Sequence, residues 1–198
     1  MKREELQVDF DLVNTLESGQ SFLWRREGDS NGDGNGNDDE ANVSYTTVID
    51  GDFVRVEETA EGVAYETTGV SEARLRETLG LDDPLDEIHA AIDDDPRVKK
   101  AIDKYGGMRV VSDDFFPCAV SFIISAQNRI PRIKSLVDEI AEEYGERVEA
   151  DGYEAYAFPE PHVLAAVEEE ELRDIGLGYR APYVIETAEM VANGVVDA

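Results

Sequence analysis

Twenty-three consecutive residues, Phe115 to Val137 (FFPCAVSFIISAQNRIPRIKSLV), contain no aspartate or glutamate in a chain with 46 acidic residues, 18 basic residues and a formal net charge of -28. The stretch opens as an apolar run and closes on a positive island of Arg129, Arg132 and Lys134. Its first half, Phe115 to Ile124, reads as a buried helix, because burial excludes unpaired carboxylates. Its second half, Ser125 to Lys134, is polar and needs another reason to exclude acid. Contact with a polyanion such as DNA supplies one, since phosphates repel carboxylates and are held by Lys and Arg.

A chain of 198 residues makes one large or two small domains, and 41% hydrophobic residues suffice for a core. A pI near 4.2 taken alone argues against a nucleic-acid partner. The acid is spread along the whole chain, however, as in a protein kept soluble at high salt, where repulsion is screened within a few ångströms. A halophilic source is therefore expected, and local charge then says more about partners than net charge does. The single cysteine, Cys118, allows neither an internal disulfide nor a zinc cluster and reads as a small buried hydrophobe. His89 and His162 stand far apart without ligand spacing, so no metal or cofactor is expected. No signal peptide is visible, and no apolar run reaches the ~20 residues of a transmembrane helix. The chain is expected in a reducing cytoplasm, with no membrane partner.

Residues 1 to about 70 read as antiparallel sheet. Gln20 to Arg25 alternates Phe22 and Trp24 with polar neighbours, Val43 to Ile49 is rich in β-formers, and Asp50-Gly51 signals a hairpin returning through Phe53 to Glu58. Gly62 marks a second turn, before Val63 to Thr67. Between these strands, residues 27–42 are acidic and Gly/Asn-rich, and are expected as a mobile loop. From Ser71 the period becomes helical. Ser71 is a candidate N-cap with Gly80 just past the helix end. Pro84 and Pro96, each after an aspartate, are expected at first helical positions. Arg97 to Tyr105 carries Arg97, Lys99, Lys100 and Lys104 against Asp103 alone. Pro117 is expected to open the helix of the apolar run. Ile133, Leu136, Val137, Ile140, Ala141 and Tyr144 trace an amphipathic helix stopped by Gly145. Short helices are expected over Pro161 to Val167 and Glu169 to Ile175, and a last one over Ala181 to Asn193. Strands followed by helices predict an α+β chain: a sheet domain over 1–70 and a helical domain over 71–198.

Three acid-free windows read as more than core: Ser18-Gly19-Gln20-Ser21-Phe22-Leu23-Trp24-Arg25-Arg26, Ser125-Ala126-Gln127-Asn128-Arg129-Ile130-Pro131-Arg132-Ile133, and Ile175-Gly176-Leu177-Gly178-Tyr179-Arg180-Ala181-Pro182-Tyr183-Val184. With Gly107-Met108-Arg109 and Phe116-Pro117-Cys118 between them, they resemble the 8-oxoguanine DNA glycosylases of the helix-hairpin-helix superfamily, from about Phe10 to Gly194. The resemblance implies an N-terminal antiparallel sheet domain followed by an all-helical glycosylase domain. It also implies a monomer that flips oxidised guanine out of double-stranded DNA and excises it as an N-glycosylase and AP lyase in base-excision repair.

The resemblance carries roles for particular residues. Gly19 matches the glycine whose carbonyl reads the proton that 8-oxoguanine, unlike guanine, holds on N7; without a side chain the backbone approaches the base closely. Tyr179 matches the wedge that replaces lost stacking. Arg132 and Arg180 match the arginines that bond the orphaned cytosine. Gln127 stands where the family has an asparagine filling the vacated space, which keeps the amide and lengthens its reach. Asn128 and Arg129 are candidate phosphate contacts, Arg129 again in place of an asparagine.

The family's nucleophile is a lysine in the helix-hairpin-helix, followed by an aspartate, and the lysine forms a Schiff base with the sugar. No lysine follows Lys134 here, and Lys134, Asp174 and Asp197 match no catalytic position. No catalytic residue is therefore assigned. The chain is expected to be truncated before the hairpin, split or degenerate, and inactive alone. Two alternatives stay open: an alkylpurine DNA glycosylase of the same superfamily, and a non-catalytic DNA-binding module.

Overall fold

Alternating apolar and polar residues in the first third of the chain form a five-stranded antiparallel sheet in the computed structural model, which describes residues 1–27 and 43–196. The strands are β1 (Lys2–Gln7), β2 (Arg25–Arg26), β3 (Ser44–Ile49), β4 (Asp52–Thr59) and β5 (Gly62–Thr67), in the order β1-β5-β4-β3-β2. The β3–β4 hairpin turns at Asp50-Gly51, both with positive φ, and pairs Ile49 with Asp52. The acidic segment expected as a mobile loop lies outside the described residues except for Glu27, and Asp197 lies outside them too.

Two features depart from a pure sheet in this third. Helix α1 (Leu12–Glu17) follows β1, capped by Asp11, whose carboxylate accepts from the Asn14 amide at 2.9 Å. It buries Leu12, Thr15 and Leu16. Gln20 to Arg25, expected to alternate as a strand, pairs only at its end, where Arg25 and Arg26 meet Thr46 and Tyr45. The reason is local. The Gln20 side-chain amide donates to the Thr15 and Arg109 carbonyls (2.9 and 2.8 Å) and accepts from the Val111 amide (2.9 Å), which holds the segment as a loop.

The helices that follow are α2 (Glu72–Thr78), α3 (Leu85–Ile92), α4 (Pro96–Tyr105), α5 (Phe115–Ser125), α6 (Ile130–Tyr144), α7 (Pro161–Leu164), α8 (Glu169–Asp174) and α9 (Ala181–Ala192). Ser71 caps α2 by accepting from the Arg74 amide at 3.2 Å. Pro96 opens α4 behind Asp95, whereas Pro84 takes the cap position of α3 and α5 begins two residues ahead of Pro117. The part expected to be helical throughout also contains a hairpin, β6 (Arg147–Ala150) and β7 (Tyr153–Tyr156). It covers the second face of the sheet, with Tyr153 stacked on Phe53 at 5.4 Å between ring centroids. The strands-then-helices α+β plan otherwise stands as expected. No helix among the described residues is long and apolar enough to cross a membrane.

Two cores result. One joins the sheet to α1 and α2 through Leu6, Phe10, Leu16, Trp24, Val54 and Leu75. The other joins α5, α6, α8 and α9 through Val120, Ile124, Leu136, Ile140, Leu172 and Val184. The Gly19–Arg25 segment is the seam between them: Trp24 belongs to the first core, while Phe22 and Leu23 pack against the second. Arg25 crosses the same seam to Asp138 of α6 at 2.8 Å. Whatever Gly19 lines is therefore held between two packed bodies.

Candidate nucleic-acid interface

The apolar face of α5 ends at Ser125, and the chain must turn before Pro131 can support α6. That turn is Ala126 to Arg129. Gln127 sits in the left-handed region at φ 57 and is exposed. Asn128 donates its side-chain amide to the Ile124 carbonyl at 2.8 Å, satisfying one end group of α5. Arg129 is exposed and makes no ion pair among the described residues.

The carbonyl of Ala126, at the negative end of α5, collects donors from the third window. Arg180 donates to it through Nε at 3.1 Å and also through Nη2, and the Tyr179 hydroxyl lies 3.5 Å away. The Arg180 guanidinium stacks on the Tyr179 ring, 4.5 Å from its centroid. The two neighbours are used differently: Tyr179 is 52% exposed and Arg180 is 9% exposed. Arg180, expected to reach a base, is thus built inward and sets the pose of the tyrosine.

Arg132 is exposed on the first turn of α6. It donates to Ser135 and Glu139 at 3.2 Å each and to the Ile175 carbonyl at 3.4 Å. Gly176, at φ +101, explains the closeness, because an added Cβ would collide with this guanidinium. Gln127, Arg132, Tyr179 and Arg180 therefore gather where the α5–α6 turn meets the start of α9.

The first window reaches the same place from below. Gly19 lies against Ile130, the first residue of α6, and lines a cavity of about 280 Å³ with Ser21, Asp113, Cys118, Phe122 and Asn128. Larger crevices of about 640 and 780 Å³ are lined by none of Gly19, Gln127, Arg132 or Tyr179. The cavity wall carries one carboxyl, Asp113. Burial raises its pKa, a hydrogen bond from Ser21 opposes the rise, and Asp114 adds to it. Burial raises the Cys118 thiol as well, with Asp113 a second cause. Phe122, 71% exposed, stands at the cavity as an apolar face. Asp113 and Phe122 escape a reading of the sequence, since one looks like any acid of an acidic chain and the other like helix core. Among the described residues, no group of three His, Cys, Asp or Glu side chains could hold a metal. A purine-sized cavity beside exposed amide, guanidinium and phenol groups can take an everted base and occupy the gap it leaves.

The family model for the 8-oxoguanine DNA glycosylase N-terminal domain matches residues 4–118, and that for the HhH-GPD superfamily of base excision DNA repair proteins matches residues 120–197. The N-glycosylase/DNA lyase OGG1 of Arabidopsis thaliana is 28% identical over 188 residues, covering 91% of this chain and 48% of that protein. The 8-oxoguanine glycosylase/lyase of Clostridium acetobutylicum, solved with double-stranded DNA containing cytosine opposite 8-oxoguanine, superposes with a TM-score of 0.80 at 29% identity. That match covers 96% of this chain and 62% of the solved one. MBOgg1, solved with a low-affinity DNA ligand, gives 0.83 at 29% identity over 100% of this chain and 68% of its own. The chain spans about half the length of the Arabidopsis relative.

Proposed function

This chain belongs to the 8-oxoguanine DNA glycosylase family, whose N-terminal-domain model covers more than half of it, and from that premise we propose that it recognises oxidised guanine everted from duplex DNA opposite cytosine. It acts within cytoplasmic base-excision repair of the glycosylase/lyase kind, as a sheet domain near residues 1–70 and a helical domain beyond. Gly19 offers its carbonyl to the lesion's N7–H in the cavity. Tyr179 wedges into the stack from above the turn, and Gln127 occupies the space the base leaves. Arg132 turns its guanidinium to the orphaned cytosine. Arg180 holds the Ala126 carbonyl and the tyrosine, and joins Arg132 at the cytosine if that carbonyl is released. Asn128 and Arg129 lie along the backbone phosphates.

One observation carries this reading. Tyr179 and Arg180, just ahead of α9, meet the Ala126 carbonyl of the α5–α6 turn, and Ser125 and Asn128 of that same turn line the cavity that contains Gly19.

The test is competition binding at one stated salt concentration. The 198-residue chain is expected to prefer an 8-oxoguanine:cytosine duplex over guanine:cytosine. Arg132→Ala is expected to weaken the lesion duplex by roughly tenfold, the loss of ~1.4 kcal/mol of donor pairing, and the undamaged one by less than about threefold. Equal losses on both would mean a module that grips backbone without reading bases. A duplex holding 3-methyladenine covers the alkylpurine alternative, for which the one carboxyl of the cavity wall, Asp113, would be the group that meets a cationic base.

A second prediction follows from residue content. No lysine follows Lys134, and Lys134 lies within α6. Borohydride treatment of the 198-residue chain with the lesion duplex is expected to trap no covalent complex, and a trapped band would place the amine nucleophile among the residues present.

A further inference from the structure

We propose that α4 is a second phosphate-binding surface, which holds the duplex backbone away from the opened base pair; this rests on the DNA-recognition reading above and adds a contact to it. The chain has five lysines, and three of them, Lys99, Lys100 and Lys104, lie on this one helix. At 100° per residue, Arg97, Lys100 and Lys104 fall within about 60° of one another, so three cations form one stripe. Asp103, the acid inside the helix, lies off that stripe.

Ion pairing separates this stripe from most other positive charges of the chain. Arg3, Arg55 and Arg74, for example, are bound to Glu57, Glu27 and Asp114. Among the described residues Lys99, Lys100 and Lys104 have no ion pair, and Arg97 has only its own helix cap, Asp95, with its side chain 92% exposed. The other cations without a carboxylate or carbonyl partner there are Arg129, exposed in the α5–α6 turn, and Lys134, half-buried within α6. A chain this acidic could quench exposed cations anywhere, yet it leaves them uncovered on α4 and at Arg129 of the α5–α6 turn, the turn assigned above to the opened pair. The helix buries none of its residues, so the lysines are not held there by packing.

The helix is tied to the base cavity. Its end runs through Gly106 and Gly107 into Arg109, and the Gly107 carbonyl accepts from the Asp11 amide at 2.8 Å. The Arg109 carbonyl accepts from Gln20, the residue after Gly19, at 2.8 Å. The stripe is thus carried on the helix that leads into the segment bracing the lesion-reading glycine. From Arg97 to Lys104 it measures about 10 Å at 1.5 Å per residue, close to three base-pair steps of one strand at roughly 3.4 Å each.

The experiment replaces Arg97, Lys100 and Lys104 together by glutamine and measures the salt dependence of binding to lesion and undamaged duplexes. The slope of log K against log salt is expected to become shallower by about 2 to 3 on both duplexes alike, near 0.9 per lost contact, with the preference for the lesion unchanged. Lys100→Gln/Lys104→Gln should shift it by roughly 2, and Lys2→Gln, whose lysine is paired with Glu4, should leave it in place. An unchanged slope in the triple variant, folded by circular dichroism, overturns the inference, and so does a loss confined to the lesion duplex. The two readings fail separately: absence of lesion preference in the parent chain removes base recognition, whereas the slope alone decides α4.

Discussion

Arg109→Met is expected to destabilise the fold by about 3–5 kcal/mol, a large share of the roughly 5–15 kcal/mol available to a domain. Arg109 is 5% exposed, and its guanidinium serves three carbonyls from two connections, one between β1 and α1 and one between α2 and α3. Nε and Nη2 donate to Asp9 at 3.1 and 2.9 Å, and Nη1 donates to Gly80 at 2.7 Å and Asp83 at 3.1 Å. Burial lowers its pKa, against the raising fields of Asp83 and Asp9. A charge is accepted inside because its fork matches three acceptors that the chain turns inward. Methionine keeps most of the apolar stem but strips the Asp9 carbonyl of both its donors and leaves the Gly80 and Asp83 carbonyls only the Asp83 and Leu85 amides at 3.3 and 2.9 Å, so the cost is that of lost charge-assisted hydrogen bonds rather than of a cavity. Arg109→Lys should fall between, since a single ammonium cannot span the three sites. Urea titration checks this: the midpoint should drop while the slope holds. A loss below about 1 kcal/mol would mean that water replaces the guanidinium at these carbonyls.

Arg109 also shows what could be read in advance and what could not. It lies in the Gly107-Met108-Arg109 segment that supported the family resemblance, but only the fold reveals that its task is structural. Elements that obey one local rule were legible. Asp50-Gly51 needs nothing beyond positive φ at both residues, and α6 buries the residues its period selects, Ile133, Leu136, Val137, Ile140 and Ala141. The β6–β7 hairpin turns on Asp151-Gly152, the same dipeptide with the same backbone. Its signal was present, but its strands are four residues each and their outer positions are charged, so periodicity alone did not raise them. Helix α1 was hidden for a similar reason, being six residues long inside a run of strands. At the interface, Gln127 and Arg132 were legible in one acid-free window and Tyr179 in another. The inward turn of Arg180 was not, because it depends on one carbonyl, that of Ala126, presented by a distant helix end.

Gly19→Ala is expected to reduce the preference for 8-oxoguanine over guanine by about tenfold or more, with little change on the undamaged duplex. The two bases differ at N7, where the lesion carries a proton and guanine a lone pair. A carbonyl fixed at that edge gains a hydrogen bond from one base and faces an unpaired acceptor with the other. Discrimination of this kind survives only while the carbonyl keeps its position, and two features of Gly19 make that position sensitive. Its φ of +82 costs an L-residue roughly 1–2 kcal/mol. An added Cβ would also stand 3.1 Å from Cδ1 of Ile130, tighter than ordinary contact, so either the isoleucine or the loop must give. Gly19→Ala/Ile130→Val separates the two causes. If the preference returns when the methyl is removed, contact with α6 sets the carbonyl; if it does not, the left-handed backbone sets it. The brace from Gln20 to Arg109 and Val111 is untouched by either change, so the thermal midpoint should fall only by the strain at residue 19. Full lesion preference in Gly19→Ala would reduce this glycine to a turn residue and move base reading to the Asp113 side of the cavity.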